Sequence, residues 1–317
     1  MAVHFVTGVV RLFEVQRLLA LKNNPTRKLS LKFCTFAVKT QFMVKKRLLL
    51  YNIFTVSLLV GAFAQNNTLV IMHTNDTHSQ IDPYTYKGDV NVGGFLRREA
   101  AVREIRADNP NTLLLDAGDF SQGTPYFNFF HGYVEVRLMN AMGYDAATLG
   151  NHEFDNGSAA LAARLKTAGF PVVCANYRFA NKKLAKLVKP YVIVNRAGRK
   201  IGIFGLGVKL DSYVAPQNAC EVTYLDPVET ARRVVDELKS RKCDFIVCLS
   251  HVGVDTTIRD NDYEIARQVP GIDVIVGGHT HQEINPPVVI GDTRVCQMTN
   301  RGKCFGVLTV EFGGQEF

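Results

Sequence analysis

Five short apolar runs in this chain each lead into a polar motif carrying Asp, Asn or His. Residues 69–73 lead into Asn75-Asp76-Thr77-His78, and residues 112–115 into Asp116-Ala117-Gly118-Asp119. Residues 146–149 lead into Gly150-Asn151-His152-Glu153-Phe154-Asp155. Residues 245–249 lead into Ser250-His251-Val252-Gly253, and residues 273–276 into Gly277-Gly278-His279-Thr280-His281. Ligands of open α/β sheets gather at the carboxyl ends of the strands. One such motif means little, because a lone buried His with a backbone partner is common. Five in series, holding five of the seven histidines after Gln65, constrain both fold and site. The other two, His73 and His131, read as structural. Glycines flank the motifs and let the backbone turn sharply beside a ligand.

Two further apolar, β-branched runs, 171–174 and 200–204, also read as strands. Helical spacing of apolar residues covers 95–106 and 134–142, and an Ala-rich stretch covers 158–168. Asp226 reads as an N-cap and Pro227 as a first-turn residue, opening an amphipathic helix over 228–239. This alternation predicts an α/β fold in one domain. The C-terminal third changes character: residues 288–290, 294–299 and 307–312 read as strands without intervening helices, expected to pair antiparallel.

The net charge of +8 over 317 residues suggests a nucleic-acid binder until the charges are located. Residues 1–64 hold ten Lys or Arg and a single acid, Glu14. The rest carries 27 basic and 28 acidic residues, so it gives no argument for a nucleic-acid polymer as partner. Met43 opens a secretory-signal layout: Lys45, Lys46 and Arg47, then an apolar run over 48–60, then Ala62-Phe63-Ala64 before Gln65. The apolar run is shorter than the ~20 residues of a membrane span. Residues 43–64 are therefore read as a signal peptide, with an uncleaved N-terminal membrane anchor as the alternative. Residues 1–42 are read as an extension outside the domain, either non-native or a transit-like peptide. The domain itself is expected over 65–317, in an exported protein, periplasmic or extracellular.

Six cysteines follow Gln65: Cys174, Cys220, Cys243, Cys248, Cys296 and Cys304. Export would permit disulfides, and six cysteines allow 15 complete pairings. None is spaced as CxxC, which argues against a zinc ribbon. Cys248 sits in an apolar run and reads as a buried thiol.

Mixed imidazole, carboxylate and amide donors suit divalent ions such as zinc, manganese or iron. Seven donors are too many for one tetrahedral ion, but they serve two ions if one carboxylate bridges. Two ions about 3.5–4 Å apart form a clamp for phosphate-ester hydrolysis.

Asp76-x-His78, Gly118-Asp119, Gly150-Asn151-His152-Glu153, His251 and Gly278-His279-x-His281 resemble the five blocks of the calcineurin-like metallophosphoesterases. Asn91-Val92-Gly93-Gly94, Gln122-Gly123-Thr124-Pro125 and the longer strings around Asp76, Asp119 and His152 resemble their secreted 5′-nucleotidase branch. The resemblance runs in order from about Thr68 to the C-terminus. It implies a four-layer α/β/β/α sandwich. It also implies Asp76, His78 and His281 on a first metal ion, Asn151, His251 and His279 on a second, and Asp119 bridging them. His152 is then a catalytic residue facing substrate, oriented by Asp155, with metal-bound hydroxide as nucleophile. Read alone, Asp155 also suits the N-cap of a helix over 156–165, the lesser of its two readings. The implied activity is release of phosphate from nucleoside monophosphates.

The 5′-nucleotidases of this family carry a second, C-terminal nucleotide-binding domain, for which no sequence is seen here. Three expectations stand side by side: a separate docking chain carries that domain, the sequence is a fragment, or the protein acts on simpler phosphate esters unaided. The aromatic stretch 125–130 reads either as a surface for a partner or substrate or as the start of a core-facing helix. The same metal domain serves 2′,3′-cyclic-nucleotide phosphodiesterases and sulfur-ester hydrolases. Outside catalysis, the chain would be the metal-binding subunit of a two-chain nucleotidase.

Overall fold

The computed structural model describes residues 3–11 and 67–313. Along the chain run β1 (Val3–Arg11), β2 (Thr68–Thr74), the hairpin β3 (Tyr84–Tyr86) and β4 (Asp89–Val92), and helix Phe95–Asp108. Next come β5 (Thr112–Asp116), helices Pro125–Phe130 and Tyr133–Met142, β6 (Ala146–Ala147) and helix Gly157–Leu165. β7 (Val172–Val173), β8 (Tyr177–Phe179), helix Lys182–Leu187 and β9 (Val188–Lys189) follow, then β10 (Tyr191–Arg196) and β11 (Arg199–Gly207). After helix Pro216–Ala219 and β12 (Val222–Tyr224) come helix Pro227–Ser240, β13 (Phe245–His251), helix Asp262–Gln268 and β14 (Val274–Gly277). The chain closes on β15 (Ile284–Ile290), β16 (Thr293–Gln297) and β17 (Cys304–Phe312).

Two sheets organise these elements. One runs β1-β17-β2-β5-β6-β7-β9 and the other β10-β11-β13-β14-β16-β15. Within each, the central strands are parallel. Side-chain alternation explains how the sheets stack. In β2, Leu69 and Ile71 face the second sheet, whereas Val70 and Met72 join the core under the helices. In β13, Phe245, Val247 and Leu249 meet the first sheet, and Ile246 and Cys248 meet helices Pro227–Ser240 and Asp262–Gln268. Successive residues of a strand point to opposite faces, so runs without polar residues must be covered on both. The result is the α/β/β/α order of layers. Gly205 shows how tightly the sheets approach, because a Cβ there would lie 2.0 Å from the Val173 carbonyl oxygen.

The helix after Asp226 forms as its cap signal requires, with Asp226 Oδ1 accepting from the Glu229 amide at 2.9 Å. The C-terminal strands differ from expectation. β15 and β16 do pair antiparallel, but β16 also lies parallel to β14. β17 leaves them and crosses to the first sheet, antiparallel to β2. Its Leu308, Val310 and Phe312 complete the apolar layer between the sheets, a burial that pairing beside β15 would not give. β1 occupies the other side of β17 over nine residue pairs, within a segment the sequence reading leaves outside the fold. The signal-like residues 43–64 lie outside the described residues. Among the described residues, no helix is long and apolar enough to cross a membrane.

Cys174, Cys220, Cys243, Cys248, Cys296 and Cys304 are free thiols. Cys248 is fully buried, and burial raises its thiol well above the usual range. In the aromatic stretch, Phe127 packs into the core while Phe129 and Phe130 stay exposed.

Candidate metal centre

The five motifs meet where the strands end. Asp76, His78, Asp119, His279 and His281 all adopt left-handed backbone conformations, with φ of 50°, 46°, 54°, 71° and 56°. Such residues cost of order 1–3 kcal/mol each and persist only where surroundings fix them. Here the loops brace one another. The Asp76 amide donates to the Gly118 carbonyl at 2.9 Å, and the His78 amide to the Asp119 carbonyl at 3.0 Å. The His279 amide lies 3.1 and 3.0 Å from the two carboxylate oxygens of Asp76. Gly118 must be glycine: its φ is +91°, and a Cβ would sit 2.6 Å from the Gly150 amide nitrogen.

Donor atoms converge into three overlapping clusters: Asp76, His78 and His281; His78, Asp119 and His152; Asp119, His251 and His279. Asp76 Oδ1 lies 3.3 Å from His281 Nε2, 3.9 Å from His78 Nε2 and 3.8 Å from His251 Nε2. Asp119 Oδ2 lies 3.1 Å from His251 Nε2. Six of the seven sequence-selected donors lie in these clusters, together with His152; the seventh, Asn151, precedes His152 in the chain. Asn151 Oδ1 is buried without a hydrogen-bond partner. A lone-pair donor left bare in a protein interior is costly, and a divalent cation would satisfy it. The residues present therefore fit divalent metal.

The electrostatics agree with that fit. Burial lowers the His251 basicity, but Asp119 and Asp76 outweigh it and push its pKa up to about 10. Its Nδ1 lies 2.6 Å from the Ala117 carbonyl oxygen and donates to it. The carboxylates thus hold a proton at Nε2 in a place where a metal ion would otherwise sit. His279 moves the other way, down to about 4, through burial and the neighbouring His251.

His152 stands at the edge of the centre, its ring 5.3 Å from that of His78. Its Nδ1 pairs with Asp155 Oδ2 at 2.8 Å. Burial lowers its basicity, but the hydrogen bond to Asp155 and the charge of Asp119 prevail, so its pKa is raised. Asp155 does not cap the following helix; Asn156 holds the N-cap position.

Three residues escaped the sequence reading. Glu153 is buried, and its Oε2 accepts from the amides of Asp119 at 2.9 Å and Gly150 at 2.7 Å, while Oε1 accepts from Ser121 at 3.1 Å. It ties two of the donor-bearing loops together. Tyr213 packs its ring against His279, centroids 4.5 Å apart. Asn300 reaches His281 Nδ1 at 2.9 Å. Glu153 sits inside a motif already singled out, so its neighbours were its only signal. Tyr213 and Asn300 lie in loops far from any motif. Glu153→Ala is expected to destabilise the fold by about 3 kcal/mol or more, since three buried N–H groups lose their acceptor at roughly 1–3 kcal/mol each. Denaturant unfolding of the variant checks this; a loss under about 1 kcal/mol would show that water replaces the carboxylate.

The profile of the calcineurin-like phosphoesterases matches residues 69–283. This chain belongs to that family. Among its relatives, the snake venom 5′-nucleotidase of Gloydius brevicauda is 39% identical over 235 residues, covering 71% of this chain and 38% of the venom protein. The 5′-nucleotidase of Rattus norvegicus is 35% identical over 277 residues, covering 78% of this chain and 47% of the rat protein. The crystal structure of a 5′-nucleotidase precursor from Thermus thermophilus superposes with a TM-score of 0.68 at 36% identity. It covers 76% of this chain and 51% of that one. The phosphoesterase described here thus spans about half the length, or less, of the relatives it matches. The α/β/β/α sandwich is the fold these relatives share with it.

Proposed function

We propose that this phosphoesterase hydrolyses phosphate monoesters, with nucleoside 5′-monophosphates as the substrate class, using two divalent ions such as zinc or manganese. One observation carries the reading: six of the seven selected donors fall into three overlapping clusters, and the His152–Asp155 pair stands beside them at the open edge. Asp76, His78 and His281 would hold one ion, Asn151, His251 and His279 the other, and Asp119 both. When bound, the ions would supply an activated water and neutralise charge on the phosphoryl oxygens.

The chain's own residues do the rest. Asp155 fixes the His152 ring through Nδ1 and leaves Nε2 free to face the ester. Protonated His152 donates from Nε2 to the leaving alkoxide, a role that its raised pKa suits near neutral pH. The Asp119 carboxylate accepts from the His152 amide at 2.9 Å, which keeps the acid in register with the bridging position. Residues 65–317 would form the catalytic domain. Nucleotide selectivity would rest on a second domain of the kind that the resemblance implies. The signal-like segment and the secreted relatives support export.

Phosphate release by the full chain, loaded with Mn²⁺ or Zn²⁺, tests the reading on AMP, a 2′,3′-cyclic nucleotide and an aryl phosphate. Selective AMP turnover is expected if this domain recognises nucleotides unaided. Cleavage of the aryl ester with feeble AMP turnover would put recognition on a second chain. Preference for the cyclic ester would make the protein a phosphodiesterase. Two bound ions with no turnover of any ester would leave only a metal-binding subunit.

A further inference from the structure

We propose that Asp262 is a positioning residue that fixes His251 and His279 in their shared cluster, by tying the end of β13 to the end of β14. The proposal rests on the two-ion reading above. Asp262 opens the helix Asp262–Gln268, yet it does not cap it. The cap is Asn261, whose Oδ1 accepts from the amides of Tyr263 and Glu264, both at 3.1 Å. The Asp262 carboxyl is turned inward instead and is completely buried. A carboxyl taken out of water costs free energy unless its surroundings compensate, so its place needs a reason other than the helix.

Its contacts supply one. Oδ1 accepts from the Ser250 hydroxyl at 2.5 Å, and Ser250 is also fully buried. Ser250 immediately precedes His251 at the end of β13. The Asp262 amide donates to the Gly253 carbonyl at 2.7 Å. One residue thus grips the chain on both sides of His251. The other carboxyl oxygen, Oδ2, makes no hydrogen bond and lies against Gly277, the last residue of β14. A Cβ at Gly277 would sit 2.7 Å from Oδ2 and 3.3 Å from Gln297 Oε1. Gly277 is therefore held between two buried side chains, two residues before His279.

Gln297 completes the brace. It is fully buried on β16, and its Oε1 accepts from the hydroxyl of Thr280, between His279 and His281, at 3.2 Å. The ladder between β13 and β14 ends at the Leu249–Val276 pair. Beyond that pair the Asp262 carboxyl spaces Ser250 from Gly277, and the two histidines follow within two residues. Asp262 offers a lone pair to Ser250 and bulk to Gly277, so an amide of the same shape would serve as well.

Calorimetric titration of the full chain with Mn²⁺, together with denaturant unfolding of the metal-free chain, tests this. Wild type is expected to bind two ions. Asp262→Ala should weaken one of them by about 10–100-fold, the usual effect of losing a support behind a ligand, and leave the other unchanged. Asp262→Asn keeps the shape and the acceptor and should restore wild-type affinity. The spacing is read without metal. Gly277→Ala should lower the denaturation midpoint, and should lower it less in the Asp262→Ala background, where the added methyl no longer meets a carboxyl. Should Asp262→Ala not fold, Ser250→Ala carries the metal comparison and Asp262→Ser the Gly277 one. Wild-type affinity for both ions in Asp262→Ala or its substitute would overturn the proposal. So would Asp262→Asn binding as weakly as Asp262→Ala, or equal midpoint shifts from Gly277→Ala in the two backgrounds. Failure of wild type to bind any ion would instead remove the two-ion reading, while the Gly277 comparison still decides whether Asp262 spaces the strand ends.

Discussion

Asp119→Ala is expected to strip both metal ions from the chain and reduce turnover by at least about 10⁴-fold. Among the described residues, Asp119 is the one carboxylate that belongs to two of the donor clusters. It lies 3.1 Å from His251 Nε2 and accepts from the His152 amide at 2.9 Å. Nearby imidazoles, His251 first, hold its pKa far below the usual range despite burial, which favours the carboxylate form. Removing it would delete the proposed bridge and leave His251 without its nearest counter-charge. Metal-ion catalysis is worth several kcal/mol of barrier, and each 1.36 kcal/mol is tenfold in rate, which gives the expected loss. Metal analysis is the direct check. Two ions per chain retained in the variant would refute the bridging role whatever the rate.

His152→Ala is expected to lower kcat by about 10²–10⁴-fold, the range for removing a general acid, while metal content stays at the wild-type level. The separation of the two readouts matters, because His152 shares a cluster with His78 and Asp119. A fall in both would make it a ligand and not an acid. The pH profile gives a second handle. The acid works protonated, so kcat should fall as pH rises through the pKa of the folded protein. That pKa is raised: burial lowers it, but Asp155 and Asp119 outweigh burial. Asp155→Asn removes one of those charges and should move the falling limb to lower pH. The same sign applies to folding. Whatever stability the pair adds is present at low pH and fades as pH rises through the folded value. An alkaline limb unmoved by Asp155→Asn would detach that residue from His152.

The central architecture was legible because it is written in period and punctuation. Runs such as 69–72 and 245–249 hold no polar residue that could face water, so they had to become strands covered on both sides. The Asp226-Pro227 start fixed a helix that formed from Pro227 to Ser240. The resemblance, carried by motifs in their order, led to the same family that the comparison of residues 69–283 assigns. The C-terminal strands were less legible. Local pattern says that residues 307–312 form a strand but does not name its neighbour. β17 takes its place between β1 and β2 because Leu308, Val310 and Phe312 fill the space between the sheets. The strand at Val3–Arg11 was missed for a related reason, since basic composition dominates the reading of a segment whose pairing is entirely non-local.

The residue types that could hold metal, and their order along the chain, follow from the amino-acid sequence alone. Asp, Asn and His at the ends of apolar runs are covalent facts, and so is the His152-x-x-Asp155 spacing that lets a turn bring the two together. Which donors share a cluster, and what stands behind them, depends on how the layers pack. Asp76 and His281 are separated by about two hundred residues, yet they lie 3.3 Å apart because β2 and β14 end on the same side of two stacked sheets. Glu153 became the anchor of two loops, and Asn300 the partner of His281, through contacts that no local pattern encodes. Periodicity specifies faces and ends of elements, whereas the identity of the group across a gap depends on how the layers stack.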